Sequence, residues 1–242
     1  MLSTEEPARG SYISARRPPR NGIPHRYPSS SNSSVLASPS SSSSSSNPSY
    51  SSSLEQNSAM QHIWIVTGPA GCGKTTVAQG LAKELRLPYI EGDDYHSKSN
   101  KDKMSSNIPL TDADRWDWLI QLREAAISAL TSKPAPSGVV ATCSALKHKY
   151  RDVIRVAAYG HPAVHIHFIY LRANEETLLQ RVKQRKGHYM KSDMVHSQFE
   201  MLEEPDAEWD AYSVDCAASP HEVQRRVHTI VKQKLAEYNQ TE

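Results

Sequence analysis

From Ile63 onward, short apolar runs alternate with stretches of helical period, an alternation missing from the first 58 residues. Ile63-Trp64-Ile65-Val66 reads as a short buried strand. Leu87-Pro88-Tyr89-Ile90, Val139-Val140-Ala141-Thr142, the run from His165 to Leu171 and Tyr212-Ser213-Val214-Asp215 read as four more. Val77, Ala78, Leu81, Ala82 and Leu85 fall at helical spacing after the first strand. Trp116, Leu119, Ile120, Ile127 and Leu130 share another helix face behind the acidic start Asp112-Ala113-Asp114, and Val153, Ile154 and Val156 belong to a shorter helix after Lys147. Asn174-Glu175-Glu176 supplies an N-cap and an acidic first turn for a further helix. The last helix opens with a capping box, Ser219, Pro220 and Glu222, and carries the stripe Val223, Val227, Ile230, Val231 and Leu235. Right-handed crossovers between such strands predict an α/β fold, a central five-stranded parallel sheet with helices on both faces. Ligands in these sheets gather beyond the carboxyl ends of the strands.

Composition separates the chain into two materials. Serine dominates from Ser29 to Ser58, prolines recur, and Ile13, Ile23, Val35 and Leu36 are too sparse to form a core. Residues 1–58 are therefore expected to be a disordered Ser/Pro-rich extension and residues 59–242 the folded domain. Arg9, Arg16, Arg17, Arg20 and Arg26 outnumber Glu5, Glu6 and Glu55 by two, which accounts for the whole-chain net charge of +2. The domain itself is balanced, so no nucleic-acid partner is expected. The extension resembles a mitochondrial transit peptide in its arginines and serines, yet no amphipathic helix can be drawn through it. A cytoplasmic protein with an untargeted extension open to phosphorylation is the favoured reading. No apolar stretch is long enough for a membrane span, and the isolated cysteines Cys72, Cys143 and Cys216 fit a reducing compartment.

Chemistry enters at the strand ends. Gly68-Pro69-Ala70-Gly71-Cys72-Gly73-Lys74-Thr75 matches G-x-x-x-x-G-K-[ST] between a strand and a helix, the context that makes the pattern a phosphate loop. Glycines leave the backbone N–H groups free to turn inward, the helix N-terminus adds partial positive charge, Lys74 serves the β- and γ-phosphates, and the Thr75 hydroxyl is a Mg²⁺ ligand. The nucleotide set extends to Thr76. Cys72 reads as a small filler, although its oxidation would obstruct the loop. After the second strand, Glu91-Gly92-Asp93-Asp94-Tyr95-His96 places carboxylates and a histidine beside the γ-phosphate position. There Asp93 can orient and deprotonate an acceptor hydroxyl, and Glu91 and Asp93 can join Thr75 around the metal. The third strand lacks the usual terminal carboxylate. Lys147 and Arg151 share a helix face beyond it; they either reach back to an anionic substrate or form a solvated basic face. Arg181 and Arg185, followed by Gly187 and His188, suit a lid that closes over the triphosphate.

Taken together these segments resemble the gluconokinase family of small P-loop kinases, relatives of shikimate kinase. The matches include Gly68 to Thr75, Glu91-Gly92-Asp93 with His96, Asn100 to Met104, Pro109 to Arg115, Cys143-Ser144-Ala145-Leu146-Lys147 with Tyr150-Arg151-Asp152, Arg185-Lys186-Gly187-His188, and Gln198-Phe199-Glu200. They run in order through most of residues 62–234. The resemblance implies a P-loop NTPase three-layer sandwich with a helical lid, and ATP- and Mg²⁺-dependent phosphorylation of D-gluconate at its 6-hydroxyl, the product entering the pentose phosphate route. It implies that Lys74, Asp93 and Arg185 are catalytic, and that Gly68, Ala70, Gly71, Cys72, Gly73, Lys74, Thr75, Thr76, Arg181 and Arg185 bind the nucleotide. His96, Arg115, Lys147, Arg151 and His188 join Asp93 at the sugar acid. A homodimer is implied by analogy. Many relatives carry Asp-Gly-Asp where this chain has Glu91-Gly92-Asp93.

A kinase for shikimate or a nucleoside monophosphate, and a nucleotide-dependent regulatory module, are the rival readings. Asn100-Lys101-Asp102-Lys103 has the look of a guanine-reading N-K-x-D but ends in lysine and precedes the third strand. An extension without contacts to the site predicts that removing residues 1–58 leaves kcat and KM near those of the full chain. A large loss of turnover on truncation would show that the extension acts in the reaction.

Overall fold

A computed structural model describes residues 60–106, 108–184 and 192–240. The chain runs β1 (Gln61–Thr67), α1 (Lys74–Leu85), β2 (Tyr89–Ile90), a 3₁₀ turn (Gly92–Tyr95), α2 (Lys98–Ser105), α3 (Trp116–Leu130), β3 (Gly138–Thr142) and α4 (His148–Arg155). A second 3₁₀ turn follows at Val156–Ala158, then β4 (Val164–Arg172), α5 (Glu175–Gln184), α6 (Ser192–Glu200), β5 (Ala211–Asp215) and α7 (Pro220–Asn239). All four strand pairings are parallel, in the order β2-β3-β1-β4-β5.

Alternation along β1 shows how the sheet is buried on both sides. Trp64 and Val66 join a core formed with α1, α5 and α7, whereas Ile63 and Ile65 join the core under α3 and α4. A strand covered twice has no polar face, which is why Ile63–Val66 appears as an unbroken apolar run. The sheet and its two helical layers match the α/β expectation.

Differences from the sequence reading have local causes. On α3 the buried face is Trp118, Leu119, Leu122, Ala126 and Leu130, and Ile120 is 40 % exposed. Val156 lies in the 3₁₀ turn after α4 and is exposed as well. Ser219 Oγ accepts from the Glu222 N–H at 3.3 Å, but the Glu222 carboxylate turns to Arg225 and Arg226, so only half of the capping box forms. Helix α2 has no apolar stripe to announce it. It is held by polar anchors: the Ser97 hydroxyl, which accepts from the Asn100 N–H at 3.1 Å, and the Asn100 amide, which donates to Asp114 O at 2.6 Å.

Three histidines lie together in the sheet. His62 on β1 and His167 on β4 share one ring hydrogen bond of 3.0 Å, and His167 stacks on Trp64 with centroids 4.1 Å apart. His165 and Tyr238 flank them, and Tyr212 and Lys234 also face His167. Burial, with the neighbouring histidine His165, pulls His62 down to about 4. Burial, then His62, His165 and Lys234, pulls His167 down to about 3. The unfolded chain, with histidines near 6.5, binds more protons, so stability falls as pH drops from about 6.5 towards 4. Urea unfolding at stepped pH should show this loss, and His167→Gln should flatten its slope; an equal slope in the variant would remove the cluster as its source.

Candidate active site

The phosphate loop occupies the carboxyl end of β1. Gly68, Gly71 and Gly73 all have positive φ, and a Cβ on Gly68 would lie 2.9 Å from Leu171 O, so the loop path requires glycine there. Lys74 Nζ donates to Gly68 O at 3.0 Å and Pro69 O at 3.1 Å. The Ala70 N–H donates to Gln198 Oε1 on α6 at 2.7 Å. On the outer side of the loop, Gly71, Gly73 and Thr76 line a cavity of about 180 Å³ with Arg181, Ala218 and Val223. Arg181 Nη2 donates to Cys216 O at 2.6 Å, which sets the guanidinium at the rim of this cavity. Cys72 is buried in the same wall; burial pushes its thiol up, against the influence of Lys74, leaving it protonated and inert.

Beside the loop, the turn after β2 is locked to the end of β3. Thr142 Oγ1 accepts from the Gly92 N–H at 3.0 Å and itself donates to Glu91 Oε1. Trp118 Nε1 donates to Gly92 O at 2.7 Å. A Cβ on Gly92 would fall 1.9 Å from Thr142 O, so no other residue fits this approach. Glu91 Oε2 accepts from Tyr89 OH at 2.5 Å and from Thr75 Oγ1 at 3.0 Å. Burial opposes ionisation of Glu91, yet the hydroxyls of Thr142, Tyr89 and Thr75 outweigh it and hold the carboxyl below its usual range. Asp93 is shifted the other way, raised by desolvation and by Glu91 and Asp94 against the pull of Lys74.

Thr75 and Glu91 thus bring two oxygen donors of the kind Mg²⁺ takes to one place. Among the described residues no group of three or more His, Cys, Asp or Glu could hold a metal ion by itself. A sparse donor set fits an ion that keeps several waters and binds phosphate oxygens.

A second cavity begins at Lys74 and Asp93 and continues past Ser144 to His96, Arg115 and Gln198. His96 stacks on Trp118 with centroids 4.0 Å apart, and its Nε2 lies 3.9 Å from Asp93 Oδ1. Burial, then Arg115 and Lys101, lowers His96 to about 4, so the ring is neutral. Arg115 Nη2 donates to Leu110 O at 3.2 Å. His96 Nδ1 and Arg115 Nε are buried without a hydrogen-bond partner among the described residues. Unmatched buried polar atoms lining a cavity are what a polyhydroxylated anion would satisfy.

One expected substrate ligand lies elsewhere. Arg151 is 1 % exposed; its Nε and Nη2 bond the Glu208 carboxylate, while Nη1 and Nη2 bond Ala145 O and Glu203 O. Its expected substrate role is corrected: a guanidinium with these partners braces the segment before β5. Lys147 Nζ is 3.2 Å from Asp112 Oδ1, and that carboxylate also accepts from Lys149 and Tyr150. Asp112 thus gathers the basic start of α4, and Lys147 and Arg115 both lie over the Tyr150 ring, 5.7 and 5.5 Å from its centroid. Arg185 and His188 lie outside the described residues. Thr142 and Gln198 belong to no motif with an expected role: Thr142 reaches the site through Gly92 and Glu91, and Gln198 lines the second cavity and meets Ala70 across 128 positions.

A strand, phosphate loop and helix facing acidic residues at the carboxyl edge of an all-parallel sheet define a P-loop kinase, a class that uses ATP. The AAA domain family matches residues 63–204. The probable gluconokinase of Schizosaccharomyces pombe is 49 % identical over 152 residues, 63 % of this chain and 78 % of that protein. The thermosensitive gluconokinase of Escherichia coli is 42 % identical over 153 residues, again 63 % and 78 % of the two chains. A crystal structure of a gluconokinase from Sinorhizobium meliloti superposes with a TM-score of 0.65 at 36 % identity, covering 76 % of this chain and 99 % of that one. The chain belongs to the gluconokinase family.

The Arg151 assignment has a measurable consequence. Arg151→Met should cost about 1–3 kcal/mol in urea unfolding, because Ala145 O and Glu203 O lose their donor and Glu208 is left with Arg155 alone, while KM for the acceptor in the folded enzyme stays near wild type. A large rise in KM with unchanged stability would return Arg151 to the substrate.

Proposed function

We propose that this chain transfers the terminal phosphoryl group of ATP to the 6-hydroxyl of D-gluconate, giving 6-phospho-D-gluconate and ADP. The observation that carries this reading is the single cavity in which Lys74 and Asp93 meet the unmatched polar atoms of His96 and Arg115. The names of the similar proteins supply the acceptor.

Each group has a physical task. Lys74 and the loop amides hold the β- and γ-phosphates, and the cavity beside Arg181 takes the base. Mg²⁺, when bound, neutralises charge on the phosphates; Thr75 and Glu91 would hold it, with Asp93 near its water shell. Asp93 orients the 6-hydroxyl and accepts its proton as the new O–P bond forms and the bond from the γ-phosphorus to the bridging oxygen breaks, its electrons passing to ADP. The raised basicity of Asp93 suits this work. Arg115 faces the gluconate carboxylate, and neutral His96 hydrogen-bonds a sugar hydroxyl. Arg185 and His188, in the segment outside the described residues, complete the lid over the transferring charge.

Residues 59–242 form the catalytic domain in this reading, and residues 1–58 an extension that takes no part in the reaction. The protein is placed in the cytoplasm, working on a small molecule rather than nucleic acid or lipid, with a homodimer by family analogy. Among the described residues no helix is long and apolar enough to cross a membrane.

An ADP-release assay offering gluconate, shikimate and AMP in parallel should show turnover with gluconate, and Lys74→Ala and Asp93→Asn should each reduce it by about 10²-fold or more. Turnover confined to another acceptor would overturn the substrate; undiminished turnover in Asp93→Asn would remove the base. Because a proton on Asp93 blocks its role, kcat/KM should fall on acidification at a pH above the ordinary aspartate value of 3.8.

A further inference from the structure

Helix α6 touches both substrate sites, and one side chain makes the connection. Gln198 Oε1 accepts the Ala70 N–H of the phosphate loop at 2.7 Å, across 128 positions of sequence. The N–H requires an acceptor, which fixes the amide with its oxygen on the loop and its Nε2 donors directed elsewhere. Gln198 also lines the acceptor cavity together with Met194, Ser197 and Met201, and Met201 Sδ lies 3.8 Å from Arg115 Nη2. The α6 segment therefore holds the phosphate loop at one point and contacts the acceptor-side guanidinium at another.

The Ala70 N–H is taken by Gln198, so the neighbouring loop N–H groups are the donors that phosphate oxygens need, and the path that presents them is held from the acceptor wall. We propose that Gln198 is a positioning residue that couples the two sites: acceptor bound against α6 stabilises its docking on the loop, and the docked Gln198 fixes the loop backbone at Ala70 and with it the neighbouring N–H groups that meet the nucleotide. The proposal rests on gluconate being the acceptor. Linkage makes the effect reciprocal, so nucleotide must tighten acceptor binding by the same factor. The net worth of one neutral hydrogen bond limits that factor to about two- to tenfold.

Isothermal titration of the full chain with Mg²⁺ and a non-hydrolysable ATP analogue, with and without saturating gluconate, tests this. The wild-type chain should bind the analogue about two- to tenfold more tightly with gluconate present, and gluconate should gain equally from the analogue. In Gln198→Met, which keeps the length and loses the acceptor, the factor should collapse towards one in both directions; Gln198→Leu serves as a second variant, and a thermal melt confirms that each is folded. A factor of wild-type size in a folded variant overturns the proposal, as does independent binding in the wild type. A variant that only lowers the melting temperature, with coupling intact, assigns Gln198 a structural role and equally overturns it. If the wild-type chain binds the analogue but shows no gluconate binding at all, the acceptor assignment itself fails, and this coupling with it.

Discussion

The hydroxyl of Thr142 joins the two halves of this site. It accepts from the Gly92 amide and donates to Glu91, so the last residue of β3 sets both the path of the turn after β2 and the direction of its first carboxylate. Glu91 then reaches Thr75 at the start of α1, on the nucleotide side. One residue past Gly92, Asp93 opens into the acceptor cavity. A turn that must serve two substrates is thus fixed by side chains of the sheet rather than by its own flexibility. The chain has no carboxylate at the end of β3, and the threonine there steers one in from the neighbouring strand.

The parallel sheet makes this convergence possible. Burial on both faces pins the strand register, and the parallel order delivers the ends of β1, β2 and β3 to one edge. The clusters above and below the sheet are built from apolar side chains, and two unmatched polar atoms, His96 Nδ1 and Arg115 Nε, belong to residues lining the cavity at that edge. Opposite shifts at Glu91 and Asp93 follow from their surroundings: three hydroxyl donors stabilise one carboxylate, while desolvation and like charge make the next more basic. In the proposed reaction these neighbouring acids take separate tasks, Glu91 in a cation's shell and Asp93 with the proton.

What could be read from the sequence was mostly what is contiguous in it. The loop from Gly68 to Thr75 carries its chemistry in eight successive residues, and doubly buried strands stand out as apolar runs. Glu91, Asp93, His96 and Arg115 could be proposed because they follow a strand or belong to resembling segments. Arg151 could not be placed, because its partner Glu208 is 57 residues away and nothing in its spacing on α4 distinguishes a buried brace from a ligand. Gln198 was hidden for the same reason. Helix α2 lacked an apolar stripe because polar anchors to Asp114 and the Ser97 cap hold it in place of a buried face.

The Thr142 hydroxyl can be removed alone in Thr142→Val, which is nearly equal in volume and lacks only the hydrogen-bonding group, and steady-state kinetics of that variant read the effect. Losing the link should release Glu91 and Gly92 together, so kcat/KM should fall about 10- to 100-fold for nucleotide and for gluconate alike, with the fold retained. A folded Thr142→Val enzyme with wild-type kcat and both KM values unchanged would contradict the claim that this residue organises the site.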